Sequence, residues 1–105
     1  MSYNKLVRDK IPEIIRNNKE EPITRILNDD EFKIELEKKL QEELNEVLES
    51  SGSGRIEELA DMLEVITSLA DLEGKSLNDV MNICNEKREK RGGFQKRIYL
   101  SDVKN

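Results

Sequence analysis

The sequence predicts an all-α protein, a helical bundle completed by oligomerisation. Apolar residues recur at three- and four-residue spacing through two long stretches, 32–48 and 59–72. Asn28 with Glu31 and Ser76 with Asp79 have the spacing of capping boxes, while Gly74 and the Gly92-Gly93 pair are placed to end helices. Alternation of the kind a strand needs is weak and confined to short segments.

In chain order, Pro12 suits the first turn of a helix, where its missing N–H is no loss, and Ile11, Ile14 and Ile15 give that helix a short apolar face. Pro22 closes the region. Ile23–Leu27 alternates weakly and, with Arg97–Leu100, is the candidate for a minor two-stranded β element. A second helix opens at Asn28 and carries Phe32, Leu36, Leu40, Leu44, Val47 and Leu48 to about Glu49. Residues 50–54, Ser-Ser-Gly-Ser-Gly, read as a flexible turn, short enough to make the next helix an antiparallel neighbour. The third helix is expected from about Arg55 to Glu73. A fourth follows Ser76, with Leu77, Val80, Met81 and Cys84 on one face.

At 105 residues the chain reads as one domain, 1–105, with no repeat and no dividing linker. It is 35% hydrophobic, 39% charged and without Trp, so its own core is thin and a homodimer or homotetramer is expected to complete it. The net charge of −5, with both signs mixed, argues against a nucleic acid polymer as partner. No run of eighteen apolar residues and no signal peptide is present, so a cytoplasmic protein without membrane contact is expected. With no His and only Cys84, zinc sites of the usual kind and His-based nucleophilic catalysis are excluded.

The chemistry lies in the acids. Glu43 with Glu46, and Glu58 with Asp61, are i, i+3 pairs on the second and third helices, hence neighbours on one face of each. On a helical wheel Glu57, Glu64 and Asp71 fall on the polar side of the third helix. Glu58 instead falls between Val65 and Leu69, inside the apolar arc, and Asp61 at its edge. In the second helix Glu43 falls between Phe32 and Leu36, with Glu46 at an edge; Lys33 and Glu37 also fall in that arc, without a chemical role. Acids are abundant here, and solvated helix faces would explain the spacing alone. A carboxylate carried into an apolar face must neutralise or find a cation, and two helices doing so at the same place favour a shared ion. Oxygen-only ligands suit a hard cation, Mg²⁺ before Ca²⁺. The apolar arc of the third helix is too wide for one neighbour and is expected to meet another subunit too.

On the fourth helix the apolar stripe runs into Lys87, Arg88 and Arg91. The stripe alone is explained by cations complementing a helix C-terminus. The alternative is that they reach the acidic site, since acids holding Mg²⁺ beside Lys and Arg are the parts for handling a di- or triphosphate. Lys5, Arg8 and Lys10 could contact phosphate too, but the residues alone favour a solvated helix entry.

Glu42-Glu43-x-x-Glu46 followed by Glu58-x-x-Asp61 resembles the signature of the MazG-like all-α nucleoside triphosphate pyrophosphohydrolases. Residues 5–15, Lys-Leu-Val-Arg-Asp-Lys-Ile-Pro-Glu-Ile-Ile, and the closing Lys87-x-x-x-Arg91-Gly92-Gly93-Phe94 are similar to a small single-domain branch of that superfamily, often described as phosphoribosyl-ATP pyrophosphohydrolase-like. The resemblance covers nearly the whole chain. It implies that Glu43, Glu46, Glu58 and Asp61 are Mg²⁺ ligands, with Glu42 an extra ligand or base. It implies that Lys87 and Arg91 face the substrate phosphates, with Arg8 and Lys10 as further candidates. The implied reaction is Mg²⁺-dependent cleavage of a nucleoside triphosphate to a monophosphate and pyrophosphate. Either Glu42 or Glu46 would orient or deprotonate the water. Base stacking would fall to Phe94, Tyr3, Tyr99 or aliphatic side chains. Two rivals remain: phosphoribosyl-ATP as substrate, and a non-catalytic helical oligomer that binds nucleotide or a protein as a regulator.

Overall fold

The computed structural model describes residues 4–105, so Tyr3 lies outside the described residues. Among the described residues four helices follow one another: α1 (Ile11–Asn17), α2 (Asp29–Glu49), α3 (Gly52–Leu72) and α4 (Leu77–Arg91). The all-α expectation holds, and the β element does not form among the described residues. Ile23 and Ile26 are almost fully exposed and Ile98 largely so. A two-stranded ribbon without an apolar face against a core is marginal in water, and neither segment has one.

Local chemistry sets the helix ends. The Glu31 N–H donates to Asn28 Oδ1 at 2.9 Å, the Glu31 carboxylate accepts from the Asn28 N–H, and Arg25 grips the same carboxylate with two nitrogens. Ser76 and Asp79 form the same reciprocal pair at α4. At the end of α3 the Gly74 N–H donates to the Asp71 carbonyl and the Lys75 N–H to the Ala70 carbonyl, both at 3.0 Å. That is the Schellman arrangement, and it holds Gly74 at a φ of 73°, where a side chain would be strained.

The turn between α2 and α3 is tighter than expected, because helix already begins at Gly52 and only Ser50 and Ser51 connect the two. Ser50 Oγ donates back to the Glu46 carbonyl, and Arg55 Nε donates to the Ser50 carbonyl. So short a link makes α2 and α3 antiparallel neighbours, and this is the main packing of the chain. α4 packs on α3 alone, while α1 packs on no other helix. The segment 6–10 before α1 lies along the groove between α2 and α3.

Leu36 and Val65 are the buried apolar residues among those described, and much of the α3 arc, including Leu59, Leu63 and Leu72, stays open. The radius of gyration is 18.3 Å, whereas a compact domain of this length would have about 13 Å. The width of the α3 arc is thus real, and one chain leaves it uncovered. Lys33 and Glu37, placed in the α2 arc by the wheel, are exposed, because α3 covers that face of α2 only in part.

Candidate metal centre

Leu36 and Glu43 are seven residues apart on α2, and Glu58 and Val65 seven apart on α3. Seven residues are about two turns, so each acid shares a helix face with a buried apolar residue. Glu43 occupies a seam position that an aliphatic side chain would ordinarily fill, and it is only 6% exposed. Its Oε2, like Oε2 of Glu58, is buried without a hydrogen-bond partner. Glu43, Glu58 and Asp61 each offer an oxygen within 4.8 Å of the other two.

Electrostatics follow from this crowding. Burial pushes the Glu43 carboxyl up from 4.5 to about 7, the neighbouring Glu46 adds to the effect, and Lys39 opposes it. Glu58 is also raised, first through Glu46 within hydrogen-bonding reach, then by burial, with Asp61 and Glu57 adding repulsion. Glu46 is thus near enough to Glu43 and Glu58 to raise both carboxyls. Of the four acids singled out in the sequence, Glu43, Glu58 and Asp61 come together, and Glu46 acts on the first two electrostatically.

The remaining candidates divide. Glu42 turns from the cluster towards Lys39, whose Nζ is 3.3 Å from its Oε2 and 4.0 Å from Oε1 of Glu43. Lys39 was missed in the sequence, although it lies three and four residues before the two acids on one helix face. Arg8, exposed in the run before α1, reaches the cluster itself and donates from Nη2 to Asp61 Oδ1 at 2.8 Å. Arg8 and Lys10 line a groove of about 370 Å³ together with Glu43, Asp61 and Lys39. Lys87 and Arg91 are not brought to these acids within the chain. With Arg88, Lys96 and Arg97 they line a second, basic groove between α4 and the segment after it, where Val80, Ile83 and Phe94 also contribute. Phe94 and Tyr99, the stacking candidates, are largely exposed.

A divalent cation fits the acidic centre on its own chemistry. The donors are all carboxylate oxygens, close enough for one ion to meet three of them, and two are buried with nothing to satisfy them. Such a set selects a hard ion of the Mg²⁺ or Ca²⁺ type over a thiolate- or imidazole-loving one.

No family model matches the chain, and no solved structure matches it. Over 42 residues it is 50% identical to an uncharacterized protein of Mycolicibacterium smegmatis (strain ATCC 700084 / mc(2)155). That stretch is 40% of this chain and spans less than half of the relative's length, 43%.

Proposed function

We propose that the protein is a Mg²⁺-dependent nucleoside triphosphate pyrophosphohydrolase of the MazG-like type, acting as a cytoplasmic homo-oligomer. The observation that carries this reading is Glu43, buried in the α2–α3 seam with an unpartnered oxygen and facing Glu58 and Asp61. A carboxylate there destabilises the chain unless a cation meets it, so the position fits a binding role better than a packing one.

In this reading Glu43, Glu46, Glu58 and Asp61 hold Mg²⁺. When bound, the ion supplies charge neutralisation on the phosphates and lowers the pKa of water. Glu42 or Glu46 is the candidate base, and Glu42 already pairs with Lys39 at 3.3 Å. One of the two accepts a proton from the attacking water. Water adds across the α–β anhydride, its P–O bond breaks, and a monophosphate and pyrophosphate leave. Lys39, Lys10 and Arg8 set a positive rim around the acids and hold the phosphates in place. Lys87 and Arg91 lie in a groove of their own, so a second copy must supply them if they are to stabilise the leaving pyrophosphate. The uncovered α3 face gives that copy an apolar surface to meet.

The test is pyrophosphate release from canonical and modified nucleoside triphosphates and phosphoribosyl-ATP, with Mg²⁺ and with EDTA. Metal-dependent release is expected, with Asp61→Asn lowering turnover by roughly 10²-fold or more. Release from phosphoribosyl-ATP alone would move the protein to that substrate. No release from any of them overturns the enzymatic reading and leaves the regulatory oligomer.

A further inference from the structure

Asp61 differs from the other two acids in the cluster. Glu43 and Glu58 each keep a buried oxygen without a partner, whereas Asp61 Oδ1 accepts from the Arg8 guanidinium at 2.8 Å, across 53 positions of sequence. Arg8 comes from a segment with no helix or strand of its own, immediately before α1. It lies along the same groove as Glu43 and Asp61. A guanidinium is wide and planar, and here it meets the rim oxygen while the two inner oxygens stay unsatisfied. A small divalent ion would take all three. Arg8 and the ion therefore call on the same carboxylate.

We propose that Arg8 is a built-in counter-ion that holds Asp61 when no divalent cation is present and yields it when one binds. This rests on the metal reading above and adds a competitor to it. The pair is 57% and 45% exposed at its two side chains, which places it among surface ion pairs that are weak enough for a metal to break. Metal loading releases the guanidinium on the rim beside Lys10, so cation entry makes a positive group available to an incoming anion through one side chain.

The experiment is a titration of the whole protein with Mn²⁺, free ion being followed by its electron paramagnetic resonance signal. Wild type is compared with Arg8→Gln and Arg25→Gln. Each substitution removes one positive charge and breaks one exposed ion pair, Arg25 being paired with Glu31. Glu31 lies twelve residues before Glu43 on α2, about 18 Å along the helix and beyond the screening length of about 10 Å at 0.1 M salt. Arg8→Gln is expected to bind Mn²⁺ roughly two- to fivefold more tightly than wild type, and Arg25→Gln to match wild type. Arg8→Lys, which keeps the charge without the planar fork, is expected to fall between. Equal or weaker binding by Arg8→Gln relative to Arg25→Gln overturns the proposal while the metal centre stands. Absence of Mn²⁺ binding by all four proteins overturns the metal centre and this proposal together.

Discussion

Replacing Glu43 by Gln tests whether that carboxyl is a strained acid awaiting a cation. Its folded value of about 7 lies above the ordinary 4.5, chiefly through burial and secondly through Glu46. Between those values the folded chain binds a proton that the unfolded chain has released, so stability falls as pH rises through this window. At about 1.4 kcal/mol per pH unit the ceiling is roughly 3 kcal/mol, of which more than 2 kcal/mol lies between pH 5 and pH 8. Glu58 is raised too and acts in the same direction. Glu31 and Asp79 are lowered, Glu31 first by Arg25 and Asp79 first by the Ser76 backbone N–H. Their stabilisation is present above the ordinary carboxylate range and is lost in acid, below the interval compared. Wild type in EDTA is therefore expected to unfold at lower temperature at pH 8 than at pH 5, by about 10 °C for a chain of this length. Glu43→Gln removes the ionisation and offers its amide N–H₂ to the carboxylates of Glu46 and Glu58. It is expected to recover most of that loss at pH 8 and to abolish the stabilisation that Mg²⁺ gives wild type. Thermal unfolding followed by circular dichroism, in EDTA and then in Mg²⁺, reads all of this. A wild type equally stable at both pH values in EDTA, or a variant melting below wild type at pH 8, refutes the reasoning.

Two further outcomes follow from the fold. Gly74→Ala places a side chain at a φ of 73° and is expected to lower stability by about 1 kcal/mol in denaturant titration, since only the backbone there is strained and no neighbour lies within 4 Å of the added Cβ. Leu63→Glu, at an exposed apolar position on α3, is expected to reduce the molar mass found by light scattering without loss of helix content; a wild type that is already monomeric contradicts the assembly.

What could be read from the sequence is what a helix settles within about four residues. The capping boxes at Asn28 and Ser76 and the Gly74 stop are local hydrogen-bond chemistry, and each stands where its residues put it. The misplacement of Glu43 follows from the helix repeat as well: it sits about two turns from Leu36, on the same face as that buried residue. The weak alternation at Ile23–Leu27 misled because a strand is defined by its partner, and none is there among the described residues. Likewise Gly52 and Gly54 looked like a flexible turn, whereas α3 already begins at Gly52, which takes a φ of 59° at that first position.

Only the tertiary structure decided what meets across the chain. It brought Glu43, Glu58 and Asp61 together, drew Arg8 from 53 positions away onto Asp61, and sent Lys87 and Arg91 to a separate groove. Spacing along one helix fixes which residues share a face, but the register between helices comes from the sum of their packing. Here that packing is a two-residue link and a thin seam in which Leu36 of α2 and Val65 of α3 are buried, with an acid in each helix about two turns away. The helices were written in the sequence, and the pairing of their acids with a distant arginine was settled by how the seam closes.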